Sequence, residues 1–287
     1  MIQGKVVIIT GAAGGIGRSL AALLAGKGAR LVLADIRPGA LEDALGSVRE
    51  SGSDAIAIIH DVTRSDSWKA LVDAALQKFG RIDILVNNAG VVRPGAAWKD
   101  SEEAVVRQVS VNLMGTIFGC QSVLPVMRKQ GFGKIINIAS LGGLVPMPGE
   151  AVYSATKFGI RGYSLSLAAE LRGSPLEITV IAPDSVDTPQ LAYELEHDEA
   201  VMSFLGTPLP AEKVARRIVK AITKNKREVL IPAGTGVLCR AATAFPGLFF
   251  ALLPFIKRIG GRNIARRRRE MDRRGDSARA AHFEAKR

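Results

Sequence analysis

Tyr153 and Lys157 stand four residues apart in the run Tyr153-Ser154-Ala155-Thr156-Lys157, a spacing that puts both on one face of a helix. An ammonium beside a phenol favours the phenolate and lowers a tyrosine pKa from about 10 toward neutrality, which suits acid and base chemistry at an alcohol or a carbonyl. Taken alone, such a pair is common on helix surfaces. Ser140, 13 residues upstream, ends an apolar run and brings a hydroxyl within reach of the same crevice. Asn112 is a polar residue among the apolar Val109, Val111 and Leu113, and it requires a buried partner.

A second group of residues suits a dinucleotide. Thr10-Gly11-Ala12-Ala13-Gly14-Gly15-Ile16-Gly17-Arg18 follows directly on an apolar run and opens a helical pattern. There Gly11, Gly15, Ile16 and Gly17 would let the backbone close on a pyrophosphate at the positive end of a helix. Asp35, 18 residues beyond Gly17, can accept hydrogen bonds from a ribose 2′-hydroxyl and would repel a 2′-phosphate. Arg37 softens that preference, but positions 12 to 15 hold no basic residue, so NAD is favoured and NADP admitted. Asp61-Val62 and Asn87-Asn88-Ala89-Gly90 close two further apolar runs, where ligands bind in open parallel sheets.

The elements that must position these residues follow from the hydrophobic pattern. Strand-length runs over Lys5–Thr10, Arg30–Asp35, Ala55–His60, Ile82–Asn87, Lys134–Ser140, Glu177–Ala182 and Glu228–Ile231 alternate with helical segments. The helices are predicted over Ile16–Lys27, Leu41–Ser51, Ser67–Phe79, Glu102–Arg128, Ala151–Arg172 and Ala211–Thr223, with Asp100 or Ser101 capping the fourth. This alternation predicts an α/β fold, a doubly wound parallel sheet of about seven strands in a single domain over residues 1–232. Residues 233–287 form a C-terminal extension, apolar over 241–256 and then rich in arginine.

Together, Thr10-Gly-x-x-x-Gly-x-Gly17, Asp61, Asn87-Asn-Ala-Gly90, Asn112, Ser140 and Tyr153-x-x-x-Lys157 resemble the motif set of the short-chain dehydrogenase/reductase family, in order, over residues 1 to about 232. The resemblance implies a Rossmann-type fold and reversible hydride transfer between a nicotinamide and an alcohol or carbonyl. It makes Tyr153 the general acid and base, Ser140 the group that orients the substrate oxygen, and Lys157 the partner of the nicotinamide ribose that lowers the Tyr153 pKa. Asn112 would hold a water in the proton relay, and Val186 and Thr188 would bind the nicotinamide carboxamide. One departure stands out, because Asp184 replaces the glycine expected after Pro183. A homodimer or homotetramer through the helices near 102–128 and 151–172 is also implied.

Leu141 to Glu150 is almost entirely apolar and Pro189 to Pro208 carries apolar residues among acids, and the two suit a lipophilic substrate of steroid, retinoid or fatty-chain type or simply close a lid. The alternative function is a non-catalytic dinucleotide-binding scaffold or redox sensor at a membrane. The chain carries a formal charge of +12, of which residues 257–287 carry +8. Ala241–Ile256 is uncharged over 16 residues, short of the roughly 20 that span a bilayer, and it contains Pro246 and Pro254. Followed by arginines, it suits either peripheral membrane contact through 241–287 or packing over the lid or a second subunit. No recognised nucleic-acid module accompanies it, and nucleic acid is set aside. His197 lacks a second ligand, so no metal is expected, and two cysteines with no apparent leader indicate a cytoplasmic protein, peripheral on the inner face of a membrane if the tail makes that contact rather than packing on the body.

Overall fold

A computed structural model describes residues 2–274. Its first strand, β1 (Val6–Thr10), is buried at every position, as a strand covered on both faces must be. It is followed by α1 (Gly15–Ala25), β2 (Arg30–Asp35), α2 (Pro38–Glu50), β3 (Ala55–Ile59), α3 (Ser65–Phe79) and β4 (Ile84–Asn87). Next come α4 (Glu102–Gln108), α5 (Gly115–Gln130), β5 (Gly133–Ile138), α6 (Ala151–Glu170) and β6 (Leu176–Pro183). The chain continues through β7 (Val186–Asp187), α7 (Pro189–Leu195), β8 (Leu209–Pro210), α8 (Ala211–Ile222), β9 (Glu228–Ile231), α9 (Ala233–Ala244) and α10 (Pro246–Arg274).

Seven strands pair in the order β3-β2-β1-β4-β5-β6-β9, all parallel, with β7 and β8 forming a separate small pair. This is the expected Rossmann-type sheet. Its order reverses between β1 and β4, and the carboxyl ends of those strands open the crevice where ligands bind in such sheets. One core face, with Ile9, Leu33 and Ile181, meets α1, α2 and α8 through Leu20, Leu41 and Ile218. The other, with Ile8, Leu85 and Ile135, meets α3 and α5 through Trp68 and Val123.

Most expected boundaries move by one to three residues, and three of the differences bear on the site or its surroundings. The helix predicted over Glu102–Arg128 runs to Gln130 but widens to a π-turn over Val109–Met114. The fifth strand stops at Ile138, so Ser140 lies two residues past it and caps the short 3₁₀ turn Leu141–Gly143, accepting from Gly142 N at 3.0 Å. The third stops at Ile59, and His60 turns inward.

His60 donates or accepts at Nδ1 to Ser67 Oγ (2.7 Å) and stands edge-on to Trp68 with ring centres 4.4 Å apart. Burial pulls its pKa down from 6.5 to about 4. The unfolded chain therefore takes up a proton between those values that the folded protein refuses. Stability from this source is complete above pH 6.5 and falls with pH, by roughly 3 kcal/mol at pH 4. A His60→Gln variant, followed by urea unfolding from pH 7 to 4, should lose that part of the acid slope. An unchanged slope would contradict the assignment.

Candidate active site

The sheet sets the predicted residues along one edge in spatial sequence, from Asp61 after β3 through Asp35, the glycine loop and Asn88–Gly90 to Ser140 and finally Val186 and Thr188. At the centre, the glycine loop leaves β1 at Gly11, whose φ of +62° favours glycine and whose Cβ would stand 2.9 Å from Ala89 Cα. Thr10 and Asn88 tie this loop to β4: Thr10 Oγ1 accepts from Asn88 N and Ala89 N, both at 3.1 Å, and Asn88 Nδ2 donates to Thr10 O and Gly11 O at 3.0 and 3.1 Å. The side-chain amide of Asn88 is thereby spent on positioning the loop. A Cβ on Gly15 would stand 2.4 Å from Thr188 Cγ2, so only glycine lets the loops after β1 and β6 meet. Gly15, Ile16 and Gly17 form the first turn of α1, whose unpaired amides supply the anion-attracting end.

Asp35 ends β2 buried, accepting from Ala13 N at 3.0 Å. Arg37 clamps it with two bonds, Nε to Oδ1 at 3.0 Å and Nη2 to Oδ2 at 3.2 Å. Asp61 holds Thr63 N and Oγ1 at 2.9 and 2.7 Å through its Oδ1, and Val62 gives its carbonyl to Trp68 Nε1 at 2.9 Å.

Asn112 finds the buried partner its position required. Its Oδ1 accepts from Val91 N at 2.8 Å, and its Nδ2 donates to Val91 O at 2.9 Å and Thr156 Oγ1 at 3.1 Å. The π-turn aims it there. A Cβ on Gly90 would lie 3.4 Å from Asn112 Oδ1 and 3.5 Å from Lys157 Nζ, which places all three groups around one small space.

Tyr153 lies half-buried in the first turn of α6, where the Ser140 and Gln190 side chains are close enough to favour its phenolate. Lys157 is buried, 5.4 Å from the Tyr153 ring centre, with Nζ donating to Ile138 O at 3.1 Å. Ser154 Oγ donates to Gly142 O at 2.7 Å and locks α6 to the turn that Ser140 caps. Serine, tyrosine and lysine are thus brought together as the spacing implied.

The expected direction of the tyrosine shift is reversed in this structure. Burial raises the Tyr153 pKa above its usual value, the charges of Glu194 and Glu150 raise it further, and the side chains of Ser140 and Gln190 oppose them. Lys157 does not drive the shift. Its Nζ addresses the ring and Ile138 rather than the hydroxyl, and burial pulls its own pKa down to about 8. Glu150 is itself pushed well above the carboxylate range by burial and by Glu194, and Ser203 Oγ lies 3.3 Å from its Oε2.

Asp184, the departure noted above, adopts ordinary backbone geometry without positive φ. It accepts from Ser185 N at 2.8 Å, and burial raises its pKa. Its charge reaches Cys239 of α9, raising that thiol to about 11 behind the effect of burial. The carboxylate thus belongs to the junction with the C-terminal helices. Val186 is buried, and Thr188 Oγ1 donates to its carbonyl at 3.1 Å.

Sequence reasoning missed Gln190 and Glu194 on the lid, Thr10 as the loop's anchor, and the buried pair behind the site in which Asn87 Nδ2 donates to Asn137 Oδ1 at 2.9 Å. Asn137 had a signal, being the polar residue in the apolar run Ile135-Ile136-Asn137-Ile138. The tail was left without elements, yet 233–274 is helical and packs on the lid: Phe249 against Val145 and Met202, Ile264 against Leu191, Leu195 and Phe204.

A family model described as short chain dehydrogenase matches residues 5–199. The 2,5-dichloro-2,5-cyclohexadiene-1,4-diol dehydrogenase LinX of Sphingobium indicum is 36% identical over 214 residues, 72% of this chain and 86% of its own. The trans-4-hydroxycyclohexanecarboxylate dehydrogenase of Sinomonas cyclohexanicum is 37% identical over 66% of this chain and 74% of its own. Among solved structures, a short chain dehydrogenase/reductase from Burkholderia phymatum in complex with NAD aligns with a TM-score of 0.79 and 30% identity, covering 86% of this chain and 95% of that one.

Proposed function

Since the chain belongs to the short chain dehydrogenase family, we propose that it is an NAD-dependent oxidoreductase interconverting a lipophilic alcohol and its ketone. The observation that carries this is the meeting of the Ser140 and Tyr153 hydroxyls above buried Lys157, beside a glycine loop tied to Asn88. The residues present fit a dinucleotide: glycines close the loop where any Cβ would collide, and Asp35 ends β2 as a buried acceptor. Asp61 and Val62 would line the adenine end, Gly11, Gly15, Ile16 and Gly17 the phosphates, and Asn88, Ala89 and Gly90 the middle. Tyr153, Lys157, Val186 and Thr188 would hold the nicotinamide end. When bound, NAD supplies the hydride acceptor, and its reduced form the donor. Ser140 orients the substrate oxygen and Tyr153 gives or takes the proton there. Lys157 replenishes it through a water held at Asn112.

A raised Tyr153 pKa keeps the hydroxyl protonated at neutral pH, the state needed to protonate a ketone oxygen. Val145, Met147, Met202 and Phe204 make the surroundings apolar. The named relatives act on cyclic alcohols, in keeping with a ring-bearing substrate such as a steroid or retinoid, and a fatty chain fits the same lining. The purified protein, supplied with NAD and a panel of steroid, retinoid and long-chain secondary alcohols, should produce NADH with at least one. Binding of NADH with no turnover across the panel would favour the scaffold reading instead. The protein is proposed to work as a homodimer or homotetramer in the cytoplasm, in peripheral contact with the inner face of a membrane.

Cofactor choice has its own test. Asp35→Ala removes the ribose acceptor and frees Arg37, so NADH binding should weaken by about tenfold, the loss of one strong hydrogen bond, while NADPH binding strengthens. Fluorescence titration reads both affinities, and tighter NADPH than NADH binding by the unaltered protein would overturn the preference.

A further inference from the structure

The chain turns by 119° between α9 and α10, at Phe245. One stripe of α10 is built into the protein. Phe249, Leu253 and Ile256 pack around Val145 and Met202, and Ile264 enters the cluster of Leu191, Leu195 and Phe204. A Cβ on Gly260 would stand 2.2 Å from Val201 O, and Asn263 Nδ2 and Arg268 Nε donate to Phe204 O and Leu195 O at 2.8 and 2.7 Å. That stripe is the clasp of the substrate lid.

A second stripe, about a quarter-turn away, carries Leu248, Leu252 and Phe255, which are 61%, 47% and 65% exposed. With Val237, Leu238, Phe245 and Phe250 they make seven of the thirteen large apolar side chains exposed among the described residues, all between positions 237 and 255. Single exposed apolar residues need no explanation, but a concentration of this kind does. At helical spacing the same stripe continues from Phe255 into Arg258, Arg262, Arg266 and Arg269, all exposed. Arg266 faces Glu270 at 3.9 Å.

We propose that the outer face of this helical elbow lies in the plane of an anionic phospholipid bilayer, with Leu248, Leu252 and Phe255 in the interface and the four arginines on the headgroups. The proposal deepens the membrane placement above and is independent of the assigned reaction. The charge pattern selects this occupant: a second copy laid on the stripe would set arginines against arginines or against leucines. A single straight span does not fit, since the chain bends by 119°, α9 has 12 residues and the apolar part of α10 ends at Ile256, whereas a span takes roughly 20. The docked helix is also the one that clasps the lid, which sets the entrance beside the phase where lipophilic substrates dissolve.

Co-sedimentation with vesicles tests this on the full chain. Vesicles of phosphatidylcholine with an equal part of phosphatidylglycerol should carry the protein down, and phosphatidylcholine alone should not. Arg258→Gln/Arg262→Gln/Arg266→Gln should weaken binding about a hundredfold, at about fivefold per cation. Leu248→Ser/Phe255→Ser should abolish binding with its melting temperature unchanged, since both side chains are exposed. Failure of the unaltered protein to bind the anionic vesicles, or equal binding by either variant, would overturn the proposal. So would light scattering that shows a multimer falling apart in the Leu248→Ser/Phe255→Ser variant. Inactive Tyr153→Phe should bind vesicles like the unaltered protein, so loss of docking and loss of the reaction are read separately.

Discussion

Tyr153→Phe should lower kcat/KM by about a thousandfold while NADH affinity changes by less than about twofold and the fold stays intact. The change removes one oxygen. The ring, its place at the head of α6 and its proximity to Lys157 all remain, so the loss is confined to the proton that the substrate oxygen must gain or give up. The partners left behind do not leave a costly hole: Ser140 Oγ still accepts from Gly142 N, and Gln190 still donates to Glu194 Oε1 at 3.1 Å. Stability should therefore stay within about 1 kcal/mol of the unaltered protein. Stopped-flow binding and steady-state turnover, measured side by side, separate the two effects. Turnover within about tenfold of the parent would show that another group moves the proton.

Lys157→Met should give the opposite pairing of effects, a loss of function with a gain in stability. The ammonium is buried, and its pKa falls from 10.5 to about 8 on folding. Between those values the unfolded chain holds a proton that the folded protein has lost, so stability rises with pH across that window. Below pH 8 the folded state bears the whole cost of burying the charge, roughly 3 kcal/mol. Methionine fills similar volume without charge but leaves Ile138 O without its donor, which offsets about 1 kcal/mol. A net gain of about 2 kcal/mol at pH 7 is expected in denaturant unfolding, shrinking as the pH rises and turning into a net loss of about 1 kcal/mol above pH 10.5. Turnover should fall by about a hundredfold or more, together with NADH affinity. A variant less stable than the parent at pH 7 would contradict this account of Lys157.

The sheet and the serine, tyrosine and lysine cluster were legible because each rests on local pattern. Apolar runs of strand length alternate with helical periods, and Tyr153 and Lys157 sit one helical turn apart. Asn112 was legible as a polar residue in an apolar run, but the π-turn around it was not, since residue type carries no signature of a helix that widens by one residue. Ser140 was placed two residues too early in the hierarchy, as a strand end, because Ala139 continues the apolar run and its N–H still bonds Ile181 O at 2.8 Å. The raised tyrosine pKa could not be read, because Glu150 precedes α6 while Glu194 and Gln190 arrive on a lid helix some 40 residues later.

The C-terminal helices were hidden by their prolines. Pro246 occupies the first position of α10, where no donor is needed, and so starts the helix it was read as breaking. The period that marked the clasp, Phe249, Leu253, Ile256, Gly260 and Ile264, was masked by apolar residues on the neighbouring stripe as well.

Hydride transfer itself is the central claim, and isotope transfer tests it most directly. NADH deuterated at the nicotinamide C4 position that donates, incubated with the protein and the ketone of any alcohol active in the screen, should yield product alcohol carrying one deuterium on the carbinol carbon. The Tyr153→Phe variant should bind the same NADH and form almost none. Product alcohol without deuterium, or NADH binding with no reduction of any ketone in the panel, would contradict the account.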